Sequence, residues 1–219
     1  MGVKKFPLSR ALLTCLVSFI TFSFLALLVK GNKIVNFDST VIRAIQGMET
    51  PALTTVMKFF TNIGSTKVVI VLCVLIILFL YLVLHHRSEL ILFIVVIAGS
   101  PMLNHALKSF FQRARPDLHR LIEIGGYSFP SGHAMNAFTV YGILTFLLWR
   151  HIRTRTGRTM LILFSAFMII MIGISRIYLG VHYPSDIIGG YMASGFWLTI
   201  TIWLFQWYKD RQSKEVKSR

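Results

Sequence analysis

Apolar runs of roughly 20 residues recur along the chain, and no other feature restricts its fold as strongly. A run of that length lets a helix cross a bilayer core, where a spanning segment must satisfy its own backbone hydrogen bonds. Six are legible: Ala11 to Leu28, Val68 to Leu84, Leu90 to Phe110, Ala134 to Trp149, Met160 to Ile174 and Ile187 to Trp207. Composition agrees, since 55% of residues are hydrophobic and 14% charged, where a soluble domain carries about a quarter charged. The expectation is a single all-α, polytopic membrane domain over residues 1–219 with six transmembrane helices.

The net charge of +15 would point to nucleic acid in a soluble protein. Here the basic residues flank apolar runs, so anionic lipid headgroups are the expected partners and nucleic acid is not. Lys4, Lys5 and Arg10 precede the first run, and no small-residue cleavage site follows at Leu27 to Lys30, which predicts a retained anchor helix. Cys15 and Cys73 fall inside apolar runs, as packing or lipid-facing residues outside any Cys-rich framework.

Loop charge sets the orientation. Most of the 23 Lys and Arg residues lie in the N-terminal segment, near Arg87, in the cluster Arg150, Arg153, Arg155 and Arg158, and in the tail from Lys209 to Arg219. Both termini are therefore expected in the cytoplasm of a cell whose plasma membrane holds the protein. The long first loop falls on the outer side. Asp38 is positioned to cap a helix with Val41, Ile42, Ile45 and Met48 on one face, and Thr50-Pro51 to start a second with Leu53, Val56, Met57 and Phe60. Two short helices on the outer membrane surface fit this pattern.

Three polar clusters fall on the same outer side. In the first, Lys108 and Arg115 are seven residues apart, nearly two turns of the helix that Pro116 is expected to end, about 10 Å along its axis. Together they can grip a phosphate; a basic stripe reaching lipid headgroups is the blander alternative. In the second, Ser128 to His133, Pro130 suits a first helical turn. The free N–H groups of Ser131, Gly132 and His133 then face an anion, and His133 titrates near neutrality. An ordinary capped helix start explains the same residues. In the third, Pro184 starts a helix that places Asp186 within reach of His182, fixing one ring nitrogen and leaving the other as nucleophile or base. Arg176 adds a permanent charge. A satisfied structural pair or a metal fragment is the competing explanation.

Taken together, the clusters resemble the type 2 phosphatidic acid phosphatase superfamily, whose signature is Lys-x6-Arg-Pro, Pro-Ser-Gly-His and Ser-Arg-x5-His-x3-Asp. Every fixed position matches: Lys108, Arg115 and Pro116; Pro130, Ser131, Gly132 and His133; Ser175, Arg176, His182 and Asp186. The chain looks most like the bacterial phosphatidylglycerophosphatase B and undecaprenyl pyrophosphate phosphatase branch. The resemblance implies a lipid phosphatase that needs no cofactor and no metal. His182 is then the nucleophile, Asp186 its orienting group and His133 the proton donor, with phosphate held by Lys108, Arg115, Ser131, Gly132 and Arg176. Soluble haloperoxidases share such pockets but not six spans. A lipid transporter would spread its polar residues through bilayer depth.

Overall fold

The computed structural model describes residues 8–83, 87–117, 119–149 and 151–217. Lys4, Lys5, Leu84, Arg150 and Arg219, used above for boundaries and orientation, lie outside the described residues. Helices dominate: α1 (Leu8–Lys30), α2 (Val35–Gln46), α3 (Pro51–Ile63), α4 (Thr66–Leu78), α5 (Arg87–Phe111), α6 (Gly132–Leu148), α7 (Arg155–Tyr178) and α8 (Pro184–Lys217). A π-helical turn, Phe79–Val83, extends α4, and α5 runs unbroken through Pro101. Among the described residues there is no strand.

All six apolar runs fold as helices, though among the described residues not all six meet the length and apolarity that a crossing requires. Four helices are long and apolar enough to cross a membrane, in α1, α5, α7 and α8. A fifth arises if α3 and α4, bent by 51° at their junction, form one broken span. The run from Ala134 becomes α6, only 17 residues long. Outward faces carry Leu13, Leu27, Met102 and Phe110, each more than half exposed, and faces of that kind belong against lipid. Inside, Leu92, Phe93 and Val96 of α5 meet Val140 and Ile143 of α6 and Leu198 and Ile202 of α8. Small residues permit this closeness. At Gly99 a Cβ would stand 2.1 Å from the Trp197 ring, whose Nε1–H donates to the Val96 carbonyl at 3.0 Å.

The two first-loop helices form as predicted in place, but they pack into the bundle. Thr50 caps α3 by accepting the Leu53 N–H, with Pro51 in the first turn. The Tyr178 hydroxyl at the end of α7 meets Thr54 Oγ1 at 2.8 Å, pinning α3 against α7. Asp38 departs from expectation. α2 starts three residues earlier, at Val35, and Asp38 caps a different helix. It is buried, and its Oδ1 accepts the Ser185 N–H at 2.9 Å, one of the N–H groups that the first turn of α8 leaves unpaired.

A turn at Gly180 closes the bundle over the loop that precedes α6. Its φ is +73°, and an added Cβ would stand 1.8 Å from the His119 carbonyl oxygen. Gly180→Ala therefore combines a left-handed residue, costing about 1–2 kcal/mol, with a clash that displaces the loop. A melting temperature several degrees lower in detergent is expected, and an unchanged melt contradicts this account.

Candidate active site

Asp186 stands in the first turn of α8 as predicted, with no exposed surface. Its Oδ2 accepts the Tyr183 N–H at 2.9 Å, a reach back to the residue before the helix that resembles half of a capping box. The same oxygen accepts the Ser128 hydroxyl and faces His182 Nδ1 at 3.2 Å. Across the ring, Arg115 Nη1 lies 3.0 Å from His182 Nε2. A guanidinium can only donate, so Nε2 carries a lone pair and the proton of the neutral ring sits on Nδ1, toward Asp186.

Arg115 is not on the face of α5. The helix ends at Phe111, and Gln112 takes a φ of +47°, with its N–H closing the last turn on the Lys108 carbonyl at 2.9 Å. Arg115 follows on a non-helical segment, its Nε donating to Gly126 O at 2.9 Å and its Nη1 to Val181 O at 2.8 Å. Lys108 stays on the last turn of α5 and donates to Tyr127 O at 2.6 Å. The two residues reach one place because the chain turns, which a shared helix face would not achieve.

Arg176, 1% exposed in α7, donates through Nη1 to Thr61 Oγ1 of α3, and its buried Nε has no protein partner. The charges of Arg176, Arg115, Lys108 and His182 all act on His133, and those of Arg115, Asp186 and Arg176 act on Lys108. Among the described residues no carboxylate pairs with Lys108, Arg115 or Arg176. Three cations without counter-charge around two imidazoles form a site for a compact anion.

The second cluster differs in detail. Pro130 lies before the helix, after a cis peptide bond to Phe129, and Ser131 is the N-cap of α6. The Ser131 N–H is already taken, donating to the Asp186 carbonyl at 3.0 Å, so the predicted phosphate contact from that group is not available. α8 has claimed it by packing against the loop. Asn104, one turn before Lys108, donates to the Pro130 carbonyl at 3.0 Å and so steadies this segment; His105 is exposed. Among the described residues no three His, Cys, Asp or Glu side chains are arranged to hold a metal ion.

Residues 89–211 match the PAP2 superfamily family model. The chain belongs to the PAP2 superfamily. It is 31% identical to phosphatidylglycerophosphatase B of Bacillus subtilis over 79% of this chain and 85% of that protein. To an undecaprenyl-diphosphatase of Sulfolobus acidocaldarius it is 24% identical, over 84% and 85% of the two chains. The crystal structure of a PAP2-type phosphatidylglycerolphosphate phosphatase from B. subtilis superposes with a TM-score of 0.77 at 28% identity, covering 90% of this chain and 96% of that one. The chain is thus a membrane phosphatase of this superfamily.

Four residues joined to Asp186 or to its partners received no part in the site from the sequence: Asp38, Arg113, Ser128 and Ser185. Arg113 alone left a usable signal. It lies two residues before Arg115, the spacing that puts side chains on one side of an extended chain, and the pair does reach the pair: Arg115 the imidazole, Arg113 Nη1 the Asp186 Oδ1 at 2.7 Å.

Burial holds the His182 imidazole down to about 4, with Arg176 and Arg115 adding to that, against the hydrogen bond and charge of Asp186. Because the unfolded ring titrates near 6.5, the unfolded chain binds the extra proton first. This group's contribution to stability is complete above that value and is lost as pH falls toward about 4. Imidazole 15N NMR is expected to show His182 neutral at pH 6; a midpoint near 6.5 would contradict the arrangement.

Proposed function

We propose that the chain hydrolyses the terminal phosphate of a lipid phosphate or diphosphate, phosphatidylglycerol phosphate and/or undecaprenyl diphosphate, through a phospho-His182 intermediate. The observation that carries this reading is the geometry of His182. One nitrogen is held by Asp186, and the other, bearing its lone pair, faces Arg115 at 3.0 Å amid unpaired cations. A phosphoryl group entering there takes its non-bridging oxygens to Lys108, Arg115 and Arg176, and draws Arg115 off Nε2. The unpartnered Arg176 Nε and the Gly132 N–H at the start of α6 supply further donors. Such preorganised donors stabilise the charge of phosphoryl transfer.

His182 Nε2 then attacks phosphorus in line as the bond to the lipid oxygen breaks, and His133 gives its proton to that leaving oxygen. Asp186 stabilises the positive ring. Water next attacks phospho-His182, His133 takes the water proton, and the P–N bond breaks to release inorganic phosphate and restore Nε2. The cations fill the role a metal would take, so the scheme uses no metal and no cofactor. The named phosphatases among the relatives support the substrate class.

The membrane arrangement belongs to the same reading. Six spans follow if α6 and the α4 segment each cross, with both termini cytoplasmic and the site at the extracytoplasmic face of the plasma membrane. Arg153 in the α6–α7 connection and Arg155 and Arg158 in the first turn of α7 support that orientation. A lipid can then leave its tail in the bilayer while its phosphate meets His182 at the boundary.

Phosphate release from both lipids in detergent with EDTA tests the chemistry. His182→Ala is expected to fall to background, and His133→Ala to lose ~10²–10⁴-fold in rate. Activity persisting in His182→Ala would refute the nucleophile, and wild-type activity abolished by EDTA would return a metal to the mechanism. Reporter fusions in the α6–α7 loop check orientation independently.

A further inference from the structure

α2 reaches the centre of the site through one side chain. Asp38, 1% exposed, binds α8 twice, accepting the Ser185 N–H at 2.9 Å and the Ser185 hydroxyl at 2.7 Å. Its Oδ2 also accepts Arg113 Nη2 at 2.8 Å. The other end of that fork, Arg113 Nη1, donates to Asp186 Oδ1 at 2.7 Å and to Ser185 Oγ at 2.7 Å. The Tyr183 ring lies 4.0 Å from the guanidinium carbon. Arg113 is therefore engaged by carboxylates at both amino groups and by a ring on its face. In contrast to Lys108, Arg115 and Arg176, its charge is already matched.

This divides the labour of Asp186. Oδ1 belongs to Arg113, while Oδ2 receives Ser128, the Tyr183 N–H and His182 Nδ1. A carboxylate clamped at one oxygen cannot turn the other away from the ring. The guanidinium charge also offsets part of the attraction that Asp186 exerts on an imidazolium.

We propose that Arg113, locked in place by Asp38 of α2, is a positioning residue that sets both the angle and the charge balance of the Asp186–His182 pair. The inference rests on the reading of His182 as nucleophile. It makes the first loop part of the catalytic scaffold, since α2 carries the anchor of the clamp. A lysine keeps the charge but offers one nitrogen in place of the rigid two-nitrogen fork, so it cannot hold Asp38 and Asp186 in the same relative geometry.

The groups facing His182 are Asp186 from α8, Arg176 from α7, His133 from α6, and Arg115 and Ser128 from the connecting segment. Removing the charge of Arg113 leaves all of these in place and gives Asp186 a stronger hold on a ring proton. The acid limb of kcat/KM should then move to higher pH, a change that loosened packing alone does not produce.

The test uses the full-length protein in detergent, with phosphate release from phosphatidylglycerol phosphate micelles and melting curves for every variant. Arg113→Gln is expected to lose about 10–100-fold in kcat with KM within about twofold of wild type, since both Arg113 amino groups are already held by carboxylates, and to shift the acid limb upward. Arg113→Lys should lose kcat and keep the wild-type acid limb. Asp38→Asn should lose less, and the double variant with Arg113→Gln should be no slower than Arg113→Gln alone. Wild-type kcat and pH profile in Arg113→Gln overturn the proposal. So does a raised KM at unchanged kcat, which would put Arg113 on the phosphate. If Arg113→Gln does not fold, Arg113→Lys and Asp38→Asn decide: slower kcat at unchanged KM supports the proposal, while wild-type kcat, or loss of the fold in both, overturns it. His182→Ala in the same assay separates the two levels. Wild-type activity there fells the nucleophile itself, whereas an inactive His182→Ala beside a fully active Arg113→Gln fells only the positioning role.

Discussion

Asp186 has no exposed surface, and a carboxylate removed from water is tolerated only when donors replace the water. Ser128, Tyr183, His182 and Arg113 supply them, and they come from three places: Ser128 from the loop before α6, His182 and Tyr183 from the turn before α8, and Arg113 from the chain after α5. The Asp186 carbonyl adds a further link, accepting the Ser131 N–H. One residue therefore gathers the three clusters, and the imidazole that rests on it inherits a fixed tautomer. Breaking such a buried pair costs about 3–5 kcal/mol in other proteins, which makes this point the mechanical centre of this end of the bundle.

Charge is distributed around that centre in two ways. Arg113 is neutralised by Asp38 and Asp186 and serves structure. Lys108, Arg115 and Arg176 rest on carbonyls and hydroxyls, which orient a cation without cancelling it. The distinction between a matched and an unmatched arginine two residues away separates scaffold from binding site more clearly than residue type does.

Apolar run length and the punctuation of Pro51 and Pro184 located the helices, because a membrane span and a helix start each have a local physical requirement. The signature residues were legible for a similar reason: His182 and Asp186 are four apart across a helix start, and short spacing constrains geometry strongly. Legibility ended where the chain left regular structure. Gln112 at positive φ ended α5 early, so the expected helical face joining Lys108 to Arg115 does not exist. Asp38 read as the cap of its own helix and became the cap of α8, since a carboxylate can satisfy any N–H that packing brings to it.

By itself, the sequence determined that this chain is helical, that it belongs in a membrane and which signature residues are available to the site. Those properties depend on composition and on spacings within single elements. Tertiary structure alone decided which N–H groups remain free, which arginine keeps its charge available and that α2 takes part in the site. Each of these depends on contacts between residues far apart in the chain, Asp38 with Ser185 and Arg113 with Asp186. No local pattern encodes such distances, because they are fixed only when the helices pack.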